Sequence, residues 1–231
     1  MTPNIRPLGD SAAILQWTGA EDAAIYRAVR RITAALNHAA SSNSLDRLTS
    51  IVPAFHSITV HYCPSRMSFE NAARLIEQAL NDAESYPPAT SNRIEVPVCF
   101  DAAFALDLAD IAAVHGLSPE DIIHRFCSAE YSVRMIGFSP GFPYLSGLPS
   151  ELATPRRSAP RLKVPQGSVA IGGSQAGIYS QETPGGWNII GRTPVRLFRA
   201  ERLQPCLLTA GDQVRFLPIQ ADQFHKWQDE Q

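Results

Sequence analysis

Gly137-Phe138-Ser139-Pro140-Gly141-Phe142-Pro143-Tyr144-Leu145 opens a stretch that closes on Gly191-Arg192-Thr193-Pro194, and its reading decides the fold. These 58 residues hold 10 of the chain's 14 glycines and 8 of its 18 prolines, so the backbone path is set almost residue by residue. Aromatic and aliphatic side chains threaded through it exclude a flexible linker. Extended to Arg196, the segment carries Arg156, Arg157, Arg161, Lys163, Arg192 and Arg196 against only Glu151 and Glu182, in a chain of net charge −2. A fixed loop system with surplus guanidinium groups is expected to form a site for an anion. Arg161 and Arg192 are the candidates to hold a carboxylate or phosphoryl oxygen, because arginine's planar fork suits both. Surface ion pairing is the plainer alternative for each. Gln175, Tyr179 and Trp187 are the candidate walls of a substrate pocket. Phe138, Phe142, Tyr144, Leu145 and Leu148 lie in a segment that Pro140, Gly141 and Pro143 bar from regular structure. They either fold back as a plug or form a preorganised apolar patch; the expectation is the patch, as a partner interface.

Working outward, Tyr131 to Ile136 reads as a strand entering the stretch, and Val195–Phe198, Cys206–Leu208 and Val214–Leu217 as short strands after it. Gly211-Asp212 supplies a hairpin turn, and such spacing indicates a barrel or sandwich. Upstream come a strand at Ile94–Phe100 and two short helices. Leu106–His115 ends at Gly116; Pro119–Cys127 starts behind a Ser118 cap. Ser85-Tyr86-Pro87-Pro88-Ala89-Thr90-Ser91 is the best linker, which divides the chain into residues 1–86 and 92–231. Before it the order is strand, helix, two strands, helix: Ser11–Trp17, a helix behind Thr18-Gly19-Ala20-Glu21, Leu48–Val52, Ser57–Tyr62 and a helix capped by Ser68. The first helix should break at Ser41-Ser42-Asn43-Ser44. This first part is a small α+β domain.

Several function classes are excluded or weakened. A sequence pI near 6.3 argues against general nucleic-acid affinity. No run approaches the length of a membrane span, and the N-terminus lacks the form of a signal peptide. Cys63, Cys99, Cys127 and Cys206 form no C-x-x-C, which fits reduced thiols and a cytoplasmic protein. No histidine pair has metal-ligand spacing, so no metal is expected. Gly137-Phe138-Ser139-Pro140-Gly141 matches a nucleophile elbow in letters only: the residue after the serine is Pro140, which has no N–H for an oxyanion hole. Residues 111–122 have helix-turn-helix spacing, but Glu120 and Asp121 would face the phosphates, so two packed helices are expected. Neither standard phosphate-binding motif is present. Gly172-Gly173 and Gly185-Gly186 either expose N–H groups to an anion or make tight turns.

The motifs Gly137-Phe138-x-Pro140-Gly141-Phe142-Pro143-Tyr144-Leu145, Pro155-Arg156-Arg157, Pro160-Arg161, Val164-Pro165-x-Gly167-Ser168 and Pro184-Gly185-Gly186-Trp187-x-x-Ile190-Gly191-Arg192-Thr193-Pro194 resemble the family of the 5-oxoprolinase B subunit. Allophanate hydrolase subunit 1 and the sporulation-kinase inhibitor KipI belong to the same family. Gly9-Asp10-Ser11-Ala12, Val52-Pro53-Ala54-Phe55 and Gly211-Asp212-x-Val214 fit it too, whereas Cys63, Phe126 and Asp101-Ala102-Ala103 depart from its pattern. The resemblance implies an α+β N-terminal domain followed by a cyclophilin-like β-barrel domain. It implies a non-self-sufficient subunit that uses ATP, together with a cyclophilin-like C subunit and an A subunit, to open 5-oxo-L-proline to L-glutamate. An inhibitor of a sensor histidine kinase and a carboxyltransferase-like component of urea or allophanate metabolism are the alternatives. Catalytic residues and an ATP site are not legible in the chain.

Overall fold

Ser57 to Tyr62 alternates strictly, with Ile58, Val60 and Tyr62 buried and their neighbours half-exposed, which is the signature of a strand with one covered face. The computed structural model describes residues 2–19, 22–42, 48–86 and 90–229, and the chain divides into two units, Met1–Thr90 and Ser91–Gln231. In the first unit β1 (Asn4–Pro7), β2 (Ala12–Gln16), β3 (Leu48–Pro53) and β4 (Ser57–Tyr62) form an antiparallel sheet in the order β1-β2-β4-β3. Helices α1 (Asp22–Ser42) and α2 (Phe69–Asp82) share its core: Ile25, Val29, Ile32, Leu36 and Ile76 pack with Leu15, Ile58 and Val60. The Ser68 hydroxyl accepts from the Asn71 N–H and so caps α2. β1 has no counterpart among the strands expected from sequence, because it is a largely exposed edge strand without alternation. Ala20 and Glu21 of the capping pattern, Asn43 and Ser44 of the expected break, and Pro87 to Ala89 of the linker lie outside the described residues.

The second unit is built on a closed barrel of β5 (Arg93–Cys99), β6 (Tyr131–Ile136), β7 (Pro143–Ser146), β9 (Ser168–Gly172), β10 (Gln175–Ile178), β12 (Asn188–Arg192) and β13 (Gln213–Ile219). Around the barrel the order is β10-β7-β6-β13-β5-β12-β9. A separate ribbon pairs β8 (Arg161–Val164) with β11 (Thr183–Gly185). Helices α3 (Leu108–His115) and α4 (Pro119–Ser128) send Ile111, Ile122 and Phe126 into the barrel core, where Phe126 stacks on Phe216 at 4.8 Å. Asp121 is engaged in capping α4, accepting from the Ser118 N–H and hydroxyl.

Four of the barrel's seven strands lie inside the Gly/Pro stretch, which corrects the expectation that residues 138–148 hold no regular structure. Pro143 is the first residue of β7, a strand position at which proline is tolerated. Val195–Phe198 and Cys206–Leu208 are not strands; they share a single bridge, Phe198 to Cys206, and resemble strands in sequence because Leu197 and Leu208 are buried. Gly211-Asp212 is no hairpin either, since β13 runs parallel to β5 from Gln213↔Arg93 to Ile219↔Cys99. The buried Asp212 carboxylate instead accepts from the Asn92 N–H and from the N–H and hydroxyl of Thr209, tying the turn to the start of β5. Helix α5 (Ala221–Asp229) follows β13 and buries Phe224 against Phe104 at 4.5 Å.

The expected partner patch does not form. Phe142 is 2% exposed and Leu145 fully buried, because the β7 register turns Leu145 into the barrel opposite Ala176 and Val133. Leu148 is half-buried against the same core and Tyr144 against the aromatic cluster, which leaves only Phe138, 60% exposed, as surface. Phe142→Asp is therefore expected to destabilise the barrel unit by about 4 kcal/mol, through loss of the ring and burial of a charge. A thermal melt of the variant checks this, the expected fall being about 10 °C; a melt unchanged from the parent would put the ring outside the core.

Candidate functional site

Gly172 and Gly185 carry no side chain for a packing reason. A Cβ at Gly172 would lie 2.4 Å from the Trp187 ring, and one at Gly185 would lie 2.2 Å from the Tyr179 hydroxyl oxygen. Both glycines are seats for aromatic rings, while Gly173, at a φ of 66°, makes the tight turn between β9 and β10, as one of the two sequence readings of that pair expected. On Gly172 and Gly185 stand Trp187 and Tyr179, and Phe142 stands against Gly177, where a Cβ would lie 2.8 Å from its ring; all three rings are buried, with Tyr144 and Phe138 beside them. The rings meet edge to face: Phe142 lies 5.3 Å from Tyr179, 5.6 Å from Trp187 and 5.0 Å from Tyr144. They enclose a cavity of about 190 Å³ whose remaining lining includes Arg156, Arg157 and Gly186.

The arginines reach this cavity because of Asp107, a residue without a motif of its own. At the entry to α3, it is 1% exposed. Its carboxylate accepts from Arg157 Nη1 at 2.6 Å, from Arg161 Nη1 and Nη2 at 2.8 and 2.7 Å, and from the Ile189 N–H at 2.7 Å. The Asp107 N–H in turn donates to the Ile189 carbonyl, so helix entry and β12 are linked in both directions. Hydrogen bonding to Asp107 raises the Arg161 pKa further above its ordinary value. Arg156 points the other way and lies over the Trp187 ring at 5.7 Å. Arg157 Nε is buried without a hydrogen-bond partner. The cavity lining carries two guanidinium groups and no carboxylate. Two larger grooves, of about 690 and 580 Å³, lie between α1 and α2, but each mixes both signs of charge on helix surfaces.

A family model described as carboxyltransferase domain, subdomain C and D, matches residues 3–208. The 5-oxoprolinase B subunit of Bacillus subtilis (strain 168) is 39% identical, the match covering 98% of this chain and 97% of that one. This chain belongs to the family of the 5-oxoprolinase B subunit. The B subunit of Escherichia coli O157:H7 is 38% identical over 91% of this chain and 94% of its own length. Among solved structures TTHA0988 superposes with a TM-score of 0.75 at 31% identity over 94% of this chain. The match covers 41% of TTHA0988, so this chain spans about two fifths of that polypeptide.

In this homologue of the B subunit, Tyr179 and Trp187 line the cavity, and Arg161, Gln175 and Arg192, the other three residues named from sequence for a substrate pocket, do not. Arg161 is engaged by Asp107. Arg192 lies at the opposite end of β12, about 17 Å along the chain from Trp187 at ~3.3 Å per residue. There its Nε donates to the Gln166 carbonyl and its guanidinium covers Phe224. Gln175 pairs with Gly172 at the start of β10, outside the cavity. The Ser139 hydroxyl meets the Ser180 hydroxyl at 3.3 Å rather than a base, and a strand rather than a helix follows it. Among the described residues no three His, Cys, Asp or Glu side chains cluster to hold a metal. Arg156 and Arg157 are visible in the Pro155-Arg156-Arg157 motif, but the carboxylate that sorts the arginines lies 50 residues earlier.

Burial pushes the Tyr179 phenol up, against the Trp187 backbone N–H and the charges of Arg156 and Arg161, so it remains a neutral donor at neutral pH. Burial also raises the Tyr131 phenol and pushes the Cys127 thiol up to about 12. In the unfolded chain these groups titrate at their ordinary values of 10.0 and 9.0. The folded state thus keeps protons that the unfolded state releases, and stability falls with rising pH. The contribution is fully present below about pH 9 and is lost toward about pH 12, so melting temperatures should be flat near neutrality and decline through that window. Asp107→Asn leaves two guanidinium groups without their anion and is expected to cost about 3 kcal/mol by chemical denaturation. A loss below about 0.5 kcal/mol, typical of an exposed pair, would contradict the buried clamp.

Proposed function

We propose that the chain is the B subunit of an ATP-dependent 5-oxoprolinase, and that its aromatic cavity receives the lactam acid 5-oxo-L-proline. The observation that carries this reading is the cavity itself: flat apolar walls, two guanidinium groups and no carboxylate, in a chain matching the B subunit of 5-oxoprolinase along 98% of its length. At ~30 Å³ per water, 190 Å³ is the room of about six waters. That suits a five-membered ring with one carboxylate and is small for a nucleotide, and ATP is assigned to another polypeptide of the assembly or to a shared surface.

The reaction needs activation because a lactam is a poor electrophile. Phosphorylation of the ring oxygen by ATP gives an imidate and ADP. Water adds to the imidate carbon and the ring C–N bond breaks to leave γ-glutamyl phosphate, from which a second water releases phosphate and L-glutamate. This chain's part is to hold the acid. Arg156 and Arg157 take the carboxylate, the rings flank the lactam plane, and the Tyr179 phenol offers a proton for hydrogen bonding. A cyclophilin-like C subunit and an A subunit supply the rest of the site. In support, the Ser139 hydroxyl has another hydroxyl rather than a base beside it, and TTHA0988 carries the counterpart of this chain within a longer polypeptide. The match to a carboxyltransferase domain favours, as a second reading, a component that carries carboxyl groups in urea or allophanate metabolism.

The test is 5-oxo-L-proline-dependent release of ADP, with glutamate quantified, by the pure chain and by its assembly with the A and C subunits. No turnover is expected alone and turnover is expected in the assembly. Arg156→Ala and Trp187→Ala should each lower kcat/KM of the assembly about tenfold or more. Activity of the chain alone would overturn the reading as one part of a larger enzyme, and full activity of both variants would remove the cavity from the site. An assembly inert toward 5-oxo-L-proline but active with urea would favour the carboxyl-carrying reading.

A further inference from the structure

Phe138 is the one non-glycine residue among those described with a positive φ, at 66°. The Ser139 N–H donates to the Gly137 carbonyl two residues back, at 2.7 Å, closing a tight turn centred on Phe138. The φ and this bond are those of the γ-turn that is rare and strained for an L residue, and most of all for a bulky one. Burial does not compensate, since the ring is 60% exposed while its neighbour Phe142 is 2% exposed.

The strain persists because the surrounding loop fixes it from several sides. The Gly137 N–H donates to the Phe142 carbonyl and the Phe142 N–H to the Ser139 carbonyl, both at 3.0 Å. The Pro140 carbonyl accepts from the buried Ser180 hydroxyl at 2.6 Å. The result is a ring held edge to face with Phe142 at 5.4 Å and with Tyr179 at 6.3 Å, lining the cavity while keeping most of its own surface in water. Glycine at this position would relieve the backbone and lose only the ring.

We propose that Phe138 is a positioning residue for the ligand: the strained turn keeps its ring at the cavity mouth as a fixed wall against which a flat acid is held. This rests on the reading that the cavity receives 5-oxo-L-proline. The tension between backbone and ring gives a signature that a packing role would not produce, because one substitution should improve the fold and impair binding. In Phe138→Gly the melting temperature of the isolated chain is expected to rise by about 2–4 °C. The KM of the assembled enzyme for 5-oxo-L-proline is expected to rise roughly tenfold. Phe138→Asn, whose residue type tolerates the left-handed region, should follow in the same two directions. Phe138→Tyr keeps ring and turn and should retain the parent values. A lower melting temperature in both the Gly and Asn variants would make the ring structural and overturn the proposal. An unchanged KM would overturn it as well, and the Trp187→Ala assembly then separates the causes. If Trp187→Ala raises KM while Phe138→Gly does not, only the role of Phe138 fails; if neither does, the cavity is not the lactam site.

Discussion

One buried carboxylate organises the site. Asp107 accepts three charge-assisted hydrogen bonds from two guanidinium groups and a fourth from a strand N–H. Burying a carboxylate is costly, and a single partner seldom offsets it; four well-placed donors with two positive charges do. The consequence is geometric. The segment from Pro155 to Arg161 leaves the barrel side at Thr154, which bridges Gly173, and runs into the separate ribbon at β8. Between those points Asp107 holds it at Arg157 and again at Arg161. In an extended segment neighbouring side chains point to opposite sides. With Arg157 drawn inward, Arg156 is therefore directed outward, onto the face of Trp187.

The charge balance of this clamp is also informative. Two arginines meet one aspartate, so the group keeps a net positive charge beside the aromatic cavity. Arg157 contributes less to a ligand than an unpaired arginine, since Asp107 already neutralises part of its field. Arg156, exposed and stacked on Trp187, keeps its full charge but acts through water. Two unit charges 4 Å apart attract by about 1 kcal/mol in water and about 4 kcal/mol where the effective dielectric constant is near 20. An acid bound here is thus held weakly until something excludes solvent from the cavity mouth.

Much of the fold is legible in the sequence where local physics decides it. Ser68 and Ser118 announce their helices because capping is a contact between near neighbours, and Ser57–Tyr62 announces its strand by alternation. The Gly/Pro stretch is legible as a fixed path but not as four barrel strands. Its glycines have the look of turn formers, whereas Gly172 and Gly185 make room for Trp187 and Tyr179 across the structure. The site is legible to the same extent. Tyr179 and Trp187 are recognisable by type, but nothing local distinguishes Arg156 from Arg192. That distinction depends on Asp107, on the Gln166 carbonyl and on Phe224 beneath Arg192, all remote in sequence.

The same remoteness explains why the apolar run from Phe138 to Leu148 misleads. Proline and glycine at such density suggest side chains kept out of regular structure and hence on the surface. A proline that begins a strand leaves the remaining residues free to alternate, and Pro143, Tyr144, Leu145 and Ser146 do alternate between buried and half-buried. Only the residues before the strand stay outside the ladder, and there the backbone itself is under tension at Phe138. A surface ring kept in place against its own backbone has little packing reason to be phenylalanine beyond its edge contacts with Phe142 and Tyr179. What the fold does supply around it is a cavity mouth, where an aromatic face can shield the guanidinium groups from water.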